Sequence, residues 1–371
     1  MVEVKNVITN LEEEDDILKF TISNVQVSYV NALRRILLSN IPIIVFKTNP
    51  YNENKVEIEI NKTRLNNELI KQRLGCIPIH IDDIENFSHE DYIIELDKKN
   101  DTNEIIYATT EDFKVKNIVS NTYLKDSDVK KIFPPDKITG DYIDIVRLRP
   151  KIMDNFMDHI KLKAKLHISN AEDDGMYNVV SLASYGNVMD PIKVKEEWEK
   201  KEKLLKNEHS DEEIQNIKQD WLLIDAKKLF IENEFNFQLK SIGIYSNTML
   251  MNLACKILIK KLFICLEDVK NNSDLIEYLN DTMENCYKIT ILNEDYTVGK
   301  IIENYFYDNY FIKEKKINYI SFLKKHPHDN ESIIKISYNY VVTKDEIIFN
   351  LEEAVNYGIK KITSIQENFA V

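Results

Sequence analysis

Glycine is scarce, with 7 residues in 371, and none of them clusters into a phosphate-cradling loop. That spacing excludes a Walker-type or dinucleotide-binding fingerprint. Cysteine is scarcer still. Cys76, Cys255, Cys265 and Cys286 form no CxxC pair, so neither a zinc site nor a disulfide framework is supported. They read as buried, reduced thiols. No apolar run reaches the roughly 18 residues of a membrane span. The opening MVEVKNVITNLEEEDD lacks the basic start and apolar core of a signal peptide. The expectation is a soluble, intracellular protein. Positive charge is in deficit: 49 Lys and Arg stand against 62 Asp and Glu, a net charge of −13. Such a chain is poorly suited to hold nucleic acid by itself, because phosphate neutralisation needs clustered cations. Nucleophile elbows, HExxH pairs and kinase motifs are absent. The acid pairs Asp82-Asp83 and Asp173-Asp174 fall in polar loops, where adjacent carboxylates are solvated. The chain is expected to have no catalytic residue, no cofactor and no metal of its own.

What the sequence does contain is amphipathic pattern. In VQVSYVNALRRILLSNIP (Val25–Pro42), Tyr29, Leu33, Ile36 and Leu37 share one helical face. Ser23, Asn24 and Ser28 favour a helix start, and Pro42 enforces a stop. Arg34 and Arg35 lie off the stripe as a basic shoulder. Before this helix, Val2, Val4, Val7, Ile17, Leu18, Phe20 and Ile22 alternate around the acidic turn Glu12–Asp16, which predicts a hairpin. After it, Ile41–Phe46 and Lys55–Thr63 read as strands. LNNELIKQRLGCIPIH reads as a helix with Leu65, Leu69 and Leu74 inward, Gly75 as its stop and Pro78 opening an extended exit. Ile81–Lys137 is polar, with short strands at Tyr92–Leu96 and Glu104–Thr110. Strands follow at Asp141–Pro150 and His159–Ser169. In the latter, Lys161, Lys163 and Lys165 line a face that is either a basic patch or a solvated sheet surface.

Ile192–Asp220 mixes both charges densely, which predicts one or two solvent-facing helices with Ser210 as a cap. Phe235–Ser246 reads as a strand, and Leu250, Leu253, Ala254, Ile257, Leu258 and Leu262 mark a long helix. Lys270–Asp281 is polar enough for a linker, with Leu275, Ile276 and Leu279 adding at most a helical turn. Then the pattern begins again. A strand at Tyr287–Leu292 leads through an acidic turn, Asn293–Asp295, to a helix bearing Val298, Ile301, Ile302, Tyr305 and Phe306. A hairpin follows. Thr343 and Glu346 form a capping-box pattern before a helix with Ile348, Leu351, Val355, Ile359, Ile362 and Ile365. His326 and His328 lack a third ligand and read as a turn.

NALRRILLSNIP resembles the signature helix of the alpha-type subunits of DNA-dependent RNA polymerases: bacterial alpha, archaeal D and the third-largest subunit of eukaryotic RNA polymerase II. RLGCIPIH resembles that family's second motif, and "RLRP … KLKAKLHIS … YNVVSLASYG" its insert segment. The strand "F.F.L.S.G" and the helix after it resemble the family's closing elements. Glu294-Asp295-Tyr296-Thr297-Val298-Gly299-Lys300 and Lys325-His326-Pro327-His328 resemble motifs of the small partner subunit, archaeal L or its eukaryotic equivalent. The second pair departs from the family at Tyr296 and Lys300 and in its His/Pro order. The eukaryotic relatives' cysteine cluster has no counterpart between Cys76 and Cys255, so no metal is carried over.

The resemblance implies an α+β fold of two related α/β dimerisation halves packed as an intramolecular pseudo-dimer, with a mostly β insert. It places the first half at 1–48 and 223–270, the insert at 49–222 with a helical excursion at 190–220, a linker at 271–284 and the second half at 285–371. It implies a natural fusion of two subunits, as large cytoplasmic DNA viruses encode, working in the host cytoplasm and virion. The implied role is a non-catalytic assembly platform for the two largest polymerase subunits and small assembly subunits. Asn31, Leu33, Arg34, Arg35, Leu37, Arg73, Leu74, Gly75 and Pro78 would face other subunits. Ile36, Leu253, Ile257, Asp295, Thr297, Gly299, Ile302, Leu351 and Val355 would form the internal interface. The alternatives are an interaction module of the same fold that has left the polymerase, a nucleic-acid binder using the lysine-rich strand and, last, a hydrolytic enzyme built on an acid pair.

Overall fold

The computed structural model describes residues 7–151, 157–206, 209–280 and 283–369. Val2 and Val4 of the expected first strand lie outside them. The chain opens with a hairpin of β1 (Val7–Glu14) and β2 (Ile17–Ser23), then helix α1 (Val27–Ser39). Next come β3 (Ile43–Phe46), β4 (Val56–Asn61), α2 (Asn67–Gly75), β5 (Tyr92–Lys99) and β6 (Ile106–Thr109). β7 (Lys114–Asn117), β8 (Thr122–Tyr123), α3 (Asp126–Ile132), β9 (Asp144–Leu148) and β10 (His159–Ser169) continue. β11 (Val180–Met189), α4 (Pro191–Leu205), α5 (Asp211–Leu223), β12 (Phe230–Ser241) and the long α6 (Asn247–Asn271) follow. The last segment holds β13 (Ile276–Leu279), β14 (Cys286–Leu292), α7 (Tyr296–Tyr305), β15 (Ile317–Leu323), β16 (Glu331–Tyr338) and α8 (Lys344–Gln366). The fold is α+β, as the sequence implies.

The chain divides into two compact units. One comprises Met1–Leu37, Leu182–Lys240 and Asn247–Val371. It contains two four-stranded sheets of the same design, β1-β2-β12-β11 and β13-β14-β16-β15. In each, the second strand is followed directly by an asparagine held in the left-handed region, Asn24 (φ 62°) or Asn293 (φ 53°). Asparagine tolerates that conformation better than most residues. A helix starts three residues later, α1 in one half and α7 in the other. The third strand of each sheet, β12 or β16, leads into a long helix, α6 or α8. The unit is therefore an internal repeat, two α/β halves packed as a pseudo-dimer.

The long helices run antiparallel. Lys270 Nζ lies 3.1 Å from Glu352 Oε1, and Gln366 Nε2 donates to Asn252 Oδ1 at 2.7 Å. The steps of three and four in their apolar residues produce continuous buried stripes: Leu250, Ala254, Leu258 and Leu262 on α6, and Leu351, Val355, Ile362 and Ile365 on α8. Each buried Leu, Ile or Val in these stripes contributes about 1.5–3 kcal/mol relative to exposure. Thr343 caps α8 by accepting from the Glu346 amide at 3.2 Å. The expected reciprocal half of the capping box differs, because Glu346 accepts the Tyr340 hydroxyl instead, at 2.7 Å.

The other unit comprises Leu38–Ser181 and Ser241–Ser246. Its sheet runs β3-β10-β5-β7-β8, with β4 also paired to β10, and β6 and β9 form a second, two-stranded sheet. Phe46 stacks on Phe133 in its core, and Phe113 meets Phe133 edge to face with ring centres 4.9 Å apart. It is mostly β, as the resemblance implies for the insert.

Three boundaries differ from expectation. The insert unit begins at Leu38 and ends at Ser181 rather than running from 49 to 222. β11 returns to the first sheet beside β12, so the charged helices α4 and α5 are an insertion between two strands of that sheet. The charged excursion at 190–220, expected within the insert, is therefore an arm between two strands of the first sheet. These helices also bury a small core of their own: Trp198 and Trp221 approach to 5.4 Å, with Val194, Ile214 and Ala226 around them. The 271–284 linker contains β13, which pairs antiparallel with β14 from Ile276↔Ile289 to Leu279↔Cys286. On α2 the buried face is Ile70 and Leu74, while Leu69 is 45% exposed.

Gly299 carries α7 against its sheet. A Cβ there would stand 2.0 Å from the Phe322 ring on β15. Gly299→Ala is expected to cost about 1–3 kcal/mol by overpacking. Thermal unfolding would show it, and Phe322→Leu in the same chain should restore much of the loss.

Candidate interaction interface

The helix of the signature motif is the meeting point of the two halves. Tyr29, Leu33, Ile36 and Leu37 of α1 are each 2% exposed or less. A Cβ placed on Gly358 of α8 would meet Ile301 of α7 at 3.3 Å, Leu262 of α6 at 3.4 Å and the Tyr29 hydroxyl of α1 at 3.9 Å. Four helices from both halves thus converge where α8 has no side chain. Burial, then Tyr357, Asp308 and Tyr305 nearby, push the Tyr29 phenol well above its ordinary range. It stays neutral.

Around this apolar node the halves exchange polar contacts from corresponding positions. Asp295 precedes α7 and caps it, one carboxylate oxygen accepting from the Thr297 amide at 2.8 Å. Its other oxygen receives the Arg35 guanidinium, and Arg35 Nε donates to the Thr297 hydroxyl at 2.8 Å. Burial works to raise the Asp295 pKa. The Thr297 hydrogen bonds, then the Arg35 and Lys324 charges, outweigh it and hold the carboxyl below its usual value. In the other half Gln26 takes the corresponding place before α1, and its amide donates to Asp308 from the second half. In both crossings the first half donates and the second half accepts. Lys261 of α6 adds a third, 3.1 Å from Glu294.

These contacts redistribute the expected site residues. Asp295 and Thr297 meet Arg35 across the two halves. Arg35, expected to face another subunit, is committed inside the chain. Arg34 and Asn31 remain at the surface, half-exposed, with Arg34 Nε donating to Asn31 Oδ1 at 3.0 Å. Leu33 and Leu37 belong to the core of their unit and present nothing outward. Ile36, Ile302, Leu351 and Val355 are fully buried in that unit, whereas Leu253 and Ile257 are only half-buried. Gly299 faces Phe322 of its own half rather than the opposite half.

In the insert unit, Leu74 is buried, and Gly75 is closed off by Met176, whose sulfur would lie 2.6 Å from an added Cβ. They serve packing. Arg73 is exposed and donates to the Asp144 carbonyl at 3.2 Å. It lines a groove of about 520 Å³ with Leu65, Leu69, Cys76, Ile77 and Ile143. Pro78, half-buried, follows that groove in the chain. Leu69 and Ile143 form the surface part of this motif, which periodicity had assigned inward or to a plain strand.

Two lysines of the lysine-rich strand share one carboxylate, while Lys165 is exposed. Glu59 accepts Lys161 at 2.8 Å and Lys163 at 2.6 Å, and these hydrogen bonds draw its carboxyl down to about 2. Lys55 donates to His167 at 2.9 Å. The face is an ion ladder on a solvated sheet. Burial pushes the Cys255 and Cys265 thiols up to about 12, so they stay protonated. Among the described residues no group of three or more His, Cys, Asp or Glu is placed to hold a metal, and no helix is long and apolar enough to cross a membrane.

The family model described as the RNA polymerase Rpb3/Rpb11 dimerisation domain matches residues 19–262. Subunit 3 of the DNA-directed RNA polymerases II, IV and V of Arabidopsis thaliana is 41% identical over 68 residues, 18% of this chain and 19% of its own. DNA-directed RNA polymerase II subunit rpb3 of Dictyostelium discoideum is 35% identical over 79 residues, 21% and 24% of the two chains. DNA-directed RNA polymerase subunit Rpo3 of Pyrococcus furiosus is 30% identical over 102 residues, 26% and 36%. The aligned stretches thus span only a fifth to about a third of those relatives.

Asp295→Asn should lower stability at neutral pH by about 1 kcal/mol, a value discounted because Arg35 is 37% exposed. A carboxyl held below its ordinary pKa stabilises the fold above that pKa, and the contribution fades as pH falls through the depressed value. The wild-type and Asp295→Asn unfolding curves should therefore converge in acid. A double-mutant cycle with Arg35→Ala should give a coupling of about 0.5–1 kcal/mol.

Proposed function

The chain belongs to the RNA polymerase Rpb3/Rpb11 dimerisation-domain family, and from that premise we propose that it is the assembly-platform subunit of a multisubunit DNA-directed RNA polymerase, with both dimerisation partners in one polypeptide. The observation that carries the reading is the repeated sheet order, β1-β2-β12-β11 and β13-β14-β16-β15, closed by helices that cross between halves. The family match ends at residue 262. The segment beyond it supplies the elements of a second half, which supports a fused small partner. A covalent fusion of this type suits a compact viral transcription apparatus in the host cytoplasm.

In this reading the chain performs no nucleotidyl transfer. It offers surface to the two large subunits that do, and to small assembly subunits. The Arg34–Asn31 shoulder of α1 and the Arg73 groove beside α2 are the proposed contact sites. Arginine suits such a place because its planar fork pairs bidentately with carboxylates. Linkage replaces a bimolecular encounter of the halves by an effective concentration in roughly the millimolar range. The chain therefore enters assembly already paired.

The test is affinity purification of the tagged chain from its native source. Near-stoichiometric recovery of two very large polymerase subunits, with no separate small L-type subunit, is expected. Recovery alone or with unrelated proteins would instead favour an interaction module outside the polymerase. Arg34→Glu should cut recovery of a large subunit at least about tenfold while leaving the thermal unfolding of the isolated chain unchanged, since rim charges govern association more than folding.

A further inference from the structure

A pocket of about 270 Å³ opens where the two halves meet, between the first turn of α1, the start of β12 and α8. Its donors are left without acceptors. α1 has no acidic residue in its first turn, and Gln26, in the place from which Asp295 caps α7, turns its amide to Asp308 instead. Among the described residues the Val27 and Ser28 amides find no acceptor, at the positive end of a 13-residue helix. The Tyr29 side chain is 2% exposed and lines the pocket, and its hydroxyl has no hydrogen-bond partner among the described residues. In the same turn the Ser28 hydroxyl is buried without a partner. The Tyr29 hydroxyl lies against Gly358, so it opens on the stretch of α8 that brings Tyr357 and Lys361 to the pocket. Burial lowers the pKa of the Lys361 ammonium, and an anion beside it restores the charge.

We propose that this pocket binds a mononucleotide, its phosphate at the N-terminus of α1 with Tyr29 and Lys361, and its base against Tyr357. Tyr357 is 42% exposed and offers an aromatic surface. The carboxamides of Asn24 and Asn233 in the lining carry donor and acceptor together, the pairing that the edge of a base requires. Two carboxylates stand near. One oxygen of Asp308 is taken by the Gln26 amide. Glu232 lines the pocket from β12, where it is exposed, and accepts from an amine of the base rather than meeting the phosphate. The volume lies just under the range of ordinary ligand pockets, about 300–1,000 Å³, which limits the ligand to this size. A ligand so held touches both halves and stabilises their pairing. The inference does not depend on the proposed function.

Calorimetric titration of the purified full-length chain tests this, with the four ribonucleoside monophosphates, adenosine and inorganic phosphate as probes. At least one monophosphate should bind with a Kd below about 1 mM, and about tenfold or more tighter than adenosine or phosphate alone. Tyr29→Phe should weaken that binding about tenfold, the loss expected for a hydrogen bond to a charged group. It should not lower the unfolding temperature of the free chain, because the hydroxyl it removes has no partner there. Absence of monophosphate binding at about 10 mM would overturn the inference. Binding that Tyr29→Phe leaves unchanged would put the nucleotide elsewhere and overturn it too. Inorganic phosphate binding as tightly as the monophosphates would make the pocket a site for a free anion only, with no contact to a base, and would overturn it as well.

Discussion

Burial of the α6 and α8 stripes against each other is the interaction on which the remaining structure depends. Each stripe is too wide to be left in water, and each belongs to a different half. Their contact fixes where α1 and α7 enter, and Gly358 lets all four helices approach at one point. The surrounding polar contacts then have a rigid frame. Without that frame the Arg35–Asp295 pair would be one more partly exposed ion pair of small worth.

The polar crossings show how a repeated fold becomes directional. Gln26 and Asp295 hold corresponding places, yet one donates across the interface and the other accepts. Arg35 also satisfies the hydroxyl at the start of α7. The first half therefore inserts a cation into the second, and the second returns a carboxylate, Asp308. Two copies of either half could not reproduce both contacts, so the pairing of unlike halves is chemically specified as well as covalently enforced.

Much of this was legible in the sequence where the period was strong. The helix of Val25–Pro42, the strand His159–Ser169 and the long final helix were readable because their apolar spacing has one interpretation. The repeat was readable too, since a strand, a turn and an amphipathic helix recur in order. The signal failed where a residue's role depends on what lies across from it. Arg35 looks as external as Arg34 until Asp295 is placed opposite. Leu33 and Leu74 sit in recognisable motifs, but recognition does not separate a motif residue that packs inward from one that contacts a partner. The tryptophans of α4 and α5 are too few to produce a periodic signal, yet they make a core by meeting each other. β13 was missed because four residues in a polar stretch acquire strand character only from β14 beside them.

The connection between the halves carries a last consequence. α6 passes into β13 through a single turn at Ser273–Leu275, with the Asn272 side chain accepting from the Asp274 amide at 3.1 Å. That turn is short and internally bonded, and β13 is zipped to β14 directly after it. Exchange of halves between two molecules would require the turn to open into a hinge and the strand to peel away. Holding both halves on one chain also keeps each half at a high effective concentration for its own partner, so opening of the turn is followed by re-pairing within the same molecule more readily than by capture from a neighbour.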